Sequence, residues 1–174
     1  MLGRIHTFEQ FMESFRLARA AGFNNINVDL MSAIPGQTEM SLNNTFDKVT
    51  ALQPEHISVY SLILEDGTYL ADNIDKFPPV PDEDEDRCMY HITKERLYSA
   101  GYERYEISNY SRPGFECRHN LLYWNREEYY GFGCSAAGLI GNVRYSDIRD
   151  VNKYIELNGD IGKIHENIEI LTKE

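Results

Sequence analysis

Asp29 stands in the run Asn25-Ile26-Asn27-Val28-Asp29-Leu30-Met31, between two aliphatic residues. A carboxylate in mid-strand has two uses. It can accept hydrogen bonds from the loop that follows, or it can serve the carboxyl end of a parallel sheet, where α/β folds bind ligands. Arg4 by itself reads as a solvated arginine. Ile34-Pro35-Gly36-Gln37-Thr38 is either a plain strand-to-helix turn or a row of backbone N–H donors lining a ligand at the start of a helix. The densest collection of functional side chains is Tyr105-Glu106-Ile107-Ser108-Asn109-Tyr110 followed by Cys117-Arg118-His119-Asn120-Leu121-Leu122-Tyr123-Trp124. There an imidazole lies between an arginine and an asparagine, with aromatic neighbours. Imidazole can ligate haem iron, aromatic rings pack on porphyrin faces, and arginine pairs with carboxylates such as propionates. The alternative is a hydrogen-bonded loop histidine in an aromatic mini-core. His6, His56, His91 and His165 have no such neighbours and read as structural.

Other patterns are weaker. Cys88, Cys117 and Cys134 lie 29 and 17 positions apart, without CxxC spacing, so they read as small buried apolar residues and not as a metal or disulfide set. Asp82-Glu83-Asp84-Glu85-Asp86 lacks the interspersed glycine of a calcium loop and suits the first turn of a helix instead. Gly131-Phe132-Gly133 lacks the third glycine of a dinucleotide fingerprint.

The elements that must position these residues follow from periodicity. Thr7 with Gln10 forms a capping box for a helix carrying Phe8, Phe11, Met12, Phe15 and Ala18 up to Gly22. A strand is predicted over 25–31, and a helix capped by Thr38 runs to about Leu52. A second strand is predicted over 56–64. Helix–strand–helix–strand order with short connections predicts α/β architecture with parallel strands and a right-handed crossover. After the stiff Phe77-Pro78-Pro79-Val80-Pro81 connector, Asp82 and Glu85 cap a helix that ends near Ala100. Further on, a short strand over 142–145, a helix from Ser146 to about Leu157 and the start of another helix over 164–172 are predicted.

With 174 residues, 42% hydrophobic and 26% charged, the chain is that of a folded domain. Seventeen basic against 28 acidic residues leave a net charge of −11, which disfavours nucleic acid and anionic membrane as partners. No apolar run approaches the roughly 20 residues of a membrane span, and the first residues lack a signal-peptide core, so a cytoplasmic location is expected.

Taken in order, Asn27-Val28-Asp29-Leu30-Met31, Pro35-Gly36-Gln37-Thr38, His56-Ile57-Ser58-Val59-Tyr60-Ser61-Leu62, Tyr105-Glu106-Ile107-Ser108-Asn109, Cys117-Arg118-His119-Asn120 and Tyr123-Trp124 closely resemble the radical S-adenosylmethionine family of oxygen-independent coproporphyrinogen III oxidases and HemW-type haem chaperones. The resemblance runs from Leu2 to about Leu157. It implies the C-terminal part of an incomplete (β/α)6 barrel over residues 1–70, followed by an α+β extension over residues 71–174. It also implies a [4Fe–4S] cluster and S-adenosylmethionine. Arg4 and Asp29 match the family's contacts to S-adenosylmethionine, and Ile63 corresponds by strand register to a residue near the adenine. His119, Asn120 and Tyr123 match an HNxxY pattern associated with haem, with His119 as a candidate iron ligand.

The branch is also implied. The oxidases have an Asn-Tyr-Ala-His-type sequence where this chain has Ser61-Leu62-Ile63-Leu64-Glu65, and they lack the His119-Asn120 pair. Both features look like the chaperone type, whose expected role is to bind haem and pass it to haem-requiring proteins. The alternative is radical decarboxylation of coproporphyrinogen III propionates, which this chain cannot perform alone because the family's CxxxCxxC motif is absent from it. On this resemblance the chain corresponds to the middle of a longer protein, with Met1 an internal methionine. Ala137-Gly138 stands where many relatives have His-Ser, which weakens any substrate contact at that turn.

Overall fold

The computed structural model describes residues 4–172. Capping boxes open three of its helices. Thr7 and Gln10 exchange side-chain-to-backbone hydrogen bonds of 2.9 and 3.3 Å at the start of α1 (Phe8–Ala20). Thr38 and Ser41 do the same for α2 (Glu39–Thr50). Asp82 and Glu85, both bonds 2.9 Å, start α4 (Glu83–Ser99). The acidic run is therefore a helix start, its carboxylates placed against the positive end of the helix dipole.

The chain divides into two compact units, one ending at Glu116 and the other beginning at Cys117. The division inferred from the family falls instead at residues 70 and 71. In the first unit, β1 (Asn27–Ser32) pairs in parallel with β2 (His56–Ser61), the two joined by α2. These strands begin and end within a few residues of the predicted ones, and β2 stops at Ser61 where the sequence suggested Leu64. After the short α3 (Tyr69–Asp72) and α4, the chain returns to the same sheet. The two-residue β3 (Glu103–Arg104) and β4 (Asn109–Ser111) add antiparallel strands, giving the order β1-β2-β4-β3.

Period-two alternation sends Val28 and Leu30, with their partners Ile57, Val59 and Tyr110, to one face of this sheet. That face packs on Phe15 of α1, on Leu42, Phe46 and Val49 of α2 and on Met89 and Leu97 of α4. Gly36 has φ +73°, and a Cβ there would press on Pro78, so the Pro35-Gly36 turn needs glycine.

The second unit opens with α5 (Arg118–Trp124). It continues as an antiparallel three-stranded sheet of β5 (Ala137–Ile140), β6 (Val143–Asp147) and β7 (His165–Ile170), in the order β5-β6-β7. The short helices α6 (Val151–Glu156) and α7 (Ile161–Ile164) lie between β6 and β7 in the chain. Two expectations are corrected here. Ser146 is not a helix cap: it lies inside β6, whose Val-Arg-Tyr-Ser-Asp alternation suits a strand, and Asp150 caps α6 by accepting from the Lys153 N–H at 3.0 Å. The segment predicted as a nascent helix over 164–172 is mainly β7, because its backbone pairs with β6.

Candidate functional site

The sheet face opposite the apolar core is polar. Alternation and register place Asn27, His56 and Ser111 in one row across three strands, and Asp29, Ser58 and Asn109 in the next. His56, Ser58, Asn109 and Ser111 are buried, while Asn27 and Asp29 are exposed. A directed hydrogen-bond chain runs through them. The amide of Asn27 donates from Nδ2 to Asp29 Oδ1 at 2.6 Å, and its Oδ1 accepts from the Ser58 hydroxyl at 3.2 Å. That oxygen also pairs with His56 Nδ1 at 2.6 Å, and an amide oxygen can only accept, so Nδ1 carries the proton. His56 Nε2 is then the acceptor for the Tyr105 hydroxyl at 2.7 Å. Asp29 thus has its carboxylate steadied from below by Asn27 and His56.

Two buried atoms on this face, Asn109 Oδ1 and Ser111 Oγ, have no hydrogen-bond partner among the described residues. Buried polar atoms are nearly always satisfied, so two unmet ones set this face apart from an ordinary packed surface. The segment after Gly101 is built to hold this arrangement. Glu106 folds its carboxylate onto the Ile107 and Ser108 N–H groups at 2.7 and 2.9 Å, and the Ser108 carbonyl accepts from the Val59 N–H at 2.8 Å.

Burial pushes His56 below the ordinary imidazole range, opposed by the charges of Asp29, Glu106 and Glu116. A histidine whose pKa falls on folding binds protons more readily when unfolded. Its neutral form therefore favours the folded state above the unfolded value of about 6.5, and stability is lost as pH falls from there towards the lowered folded value. Urea midpoints of the wild type are expected to fall from pH 7.5 to 5. In His56→Gln that slope should be shallower; an equal slope would show that His56 does not titrate with folding.

The other sequence-derived residues are placed as follows. Arg4 is exposed ahead of α1 and forms no ion pair with Asp29. Ile63 is 78% exposed just beyond β2. The N–H groups of the Pro35-Gly36-Gln37 turn are used internally: Gly36 donates to the Pro79 carbonyl at 2.8 Å and Gln37 to that of Ile34 at 2.9 Å. That turn therefore closes on the proline connector instead of offering free donors to a ligand.

In the second unit, His119 and Tyr123 lie one turn apart on α5. The Tyr123 hydroxyl meets His119 Nε2 at 3.0 Å, and the rings pack edge to face at 4.9 Å. Tyr129 packs on the other side of Tyr123 at 4.4 Å. Asn120 is half-buried on the same helix. In one tautomer the Tyr123 hydroxyl donates to the imidazole; in the other Nε2–H donates to the phenol oxygen. Either atom of the pair is thereby a plausible ligand in chemistry, and both are solvent-accessible. An iron–sulfur cluster fits the described residues poorly. No disulfide or gathered thiol set is present among them, and no three His, Cys, Asp or Glu side chains come together.

The residues missed from sequence are Asn27, His56 and Ser58 in the first unit. The signal was available in the paired strands: Asn-x-Asp beside His-x-Ser puts polar side chains at every second position, on the face away from the core.

The fold is similar to that of the coproporphyrinogen III oxidase HemN from Escherichia coli, a radical SAM enzyme, with a TM-score of 0.75 and 21% identity, over 96% of this chain and 42% of that one. No protein-family model matches. By sequence the chain is a homologue of the proteins named haem chaperone HemW. It is 38% identical over 174 residues to that of Lactococcus lactis and 37% to that of Bacillus subtilis, in each case over 99% of this chain. The Escherichia coli protein is 36% identical over 140 residues. The chain belongs, as its motifs suggested, to the HemN/HemW group, and it spans about half the length of these relatives or less. Among the described residues no helix is long and apolar enough to cross a membrane.

Proposed function

We propose that this chain is the haem- and nucleoside-facing part of a HemW-type haem chaperone, which holds haem and passes it to haem-requiring proteins. The observation that carries the reading is the His119–Tyr123 contact on α5, an imidazole–phenol pair flanked by a further tyrosine. Asn120, on the same helix, is the polar neighbour that would meet a haem substituent. Arg4, Asp29 and Ile63 would hold S-adenosylmethionine. Supporting this is the polar face on which Asp29 is steadied by Asn27 and on which Asn109 and Ser111 have unmet hydrogen-bonding atoms. In the intact protein, S-adenosylmethionine and a [4Fe–4S] cluster would supply radical chemistry. What these residues contribute is binding: Asp29 accepts from hydroxyl groups, Arg4 pairs with a carboxylate, and Ile63 offers apolar area to a flat base.

The test is a haemin titration of the purified chain followed at the Soret band. His119→Ala and Tyr123→Phe are each expected to weaken binding about tenfold or more and to shift the band. Unchanged spectra in both would remove these residues as ligands, and no Soret band in the wild type would overturn the haem reading. The enzyme reading draws on the HemN-like fold. It predicts consumption of coproporphyrinogen III by the full-length reconstituted protein, which a chaperone would not show.

A further inference from the structure

The second unit contains a cavity of about 470 Å3 that the His119–Tyr123 pair does not line. Its aromatic walls are Tyr130, Phe132, Tyr145 and Tyr154, and its ionisable groups are Asp147 and His165. Asp147, the last residue of β6, is directly opposite His165, the first of β7. The carboxylate is 3% exposed and lies 2.7 Å from His165 Nδ1. An ionised carboxylate only accepts hydrogen bonds, so Nδ1 is the nitrogen that donates to Asp147, and Nε2 is the one left for a further partner. Among the described residues Nε2 has no hydrogen-bond partner.

The ring is held on its face as well. Tyr145 stacks on it at 3.9 Å with a 32° tilt, and Tyr145 in turn lies on Gly138, where any Cβ would overlap the phenol ring. Glycine at 138 is thus what lets the tyrosine clamp the imidazole.

An imidazole fixed at Nδ1 by a buried carboxylate, with Nε2 free beside an apolar cavity, is the arrangement that orients histidine for a metal and raises its basicity. It is not a site for a bare cation, since among the described residues no further His, Cys or carboxylate joins the pair and transition ions need three or four such ligands. Any metal bound here must arrive with its equatorial positions already filled by a flat, largely apolar ligand that aromatic walls can cover. We infer that His165, oriented by Asp147 and Tyr145, is an axial ligand for the iron of a metalloporphyrin seated in this cavity. The inference rests on the reading of the chain as a haem binder and adds a site to it.

The test uses the chain with haemin, and with metal-free protoporphyrin as a probe of the cavity alone. His165→Gly should lower haemin affinity about tenfold or more, and added imidazole should restore the wild-type Soret band. Metal-free protoporphyrin should bind the variant as it binds the wild type, which shows that the cavity is still folded. In the reduced haem complex, Asp147→Asn should lower the iron–histidine stretching frequency in resonance Raman spectra while haem stays bound, because an amide withdraws less proton from Nδ1 than a carboxylate. A merely structural Asp147 would leave that band in place. If His165→Gly keeps the wild-type haemin spectrum while His119→Ala or Tyr123→Phe changes it, the assignment of His165 falls and the haem reading stands. If the wild type binds no haemin, both fall.

Discussion

Phe46→Ala is expected to cost about 3–5 kcal/mol of folding stability, read as a lower urea midpoint in circular dichroism at unchanged slope. The ring is fully buried in α2, with Leu42 and Val49 on the same helix stripe and the Val28–Ile57 strand pair in the same core. Truncation removes the apolar area of the ring and leaves a hole that close-packed neighbours refill only in part. Set against a total of about 5–15 kcal/mol for an ordinary domain, the loss is a large fraction. A cost below about 1 kcal/mol would mean that α2 does not seat on the strands as described. The proposed nucleoside-facing side depends on the same contact, since β1 and β2 carry Asp29 and His56 on their other side.

Glu55→Ala is expected to cost about 2–4 kcal/mol, by leaving partly buried partners without an acceptor. One carboxylate oxygen meets the Arg19 guanidinium at 2.8 Å and the other accepts from the Ile26 N–H at 3.0 Å. Arg19 also donates to the carbonyls of Phe23 and Gln53 at 3.1 and 3.0 Å. With 14% of the Glu55 side chain and 29% of that of Arg19 exposed, the pair is mostly shielded from water. It fastens the end of α1 to the residues that lead into both β1 and β2. Glu55→Gln keeps an acceptor for Ile26 and should lose less. A double-mutant cycle with Arg19→Ala isolates the pair; a coupling near zero would reduce the knot to independent contacts. Because Ile26 and Glu55 immediately precede Asn27 and His56, Glu55→Ala should also loosen the first polar row and weaken any nucleoside binding on that face.

What could be read from sequence was mostly local. Thr7 with Gln10 and Asp82 with Glu85 announce their helices within four residues, and both boxes form as read. The parallel pair was legible because its two strands are apolar at every second position and flank a helix of ordinary length. Ser146 misled because serine before a polar run resembles a cap, whereas its strand depends on partners some twenty residues later. The same non-local pairing hid the Asp147–His165 couple, since Asp147 was assigned to a helix and His165 to another. His119 and Tyr123 were legible only through the family's HNxxY pattern, while the helix that sets them one turn apart was not read from the sequence. His56 was not legible, because its partners Asn27 and Tyr105 lie 29 and 49 positions away.

β1 is the outermost member of its sheet, hydrogen-bonded by β2 on one side. Along its outer margin the main-chain amides and carbonyls of alternate residues have no strand partner among those described, and no proline interrupts them. Such a border accepts any extended segment, including the same strand of a second molecule, and concentrated solutions of this chain should accordingly self-associate through added β-structure.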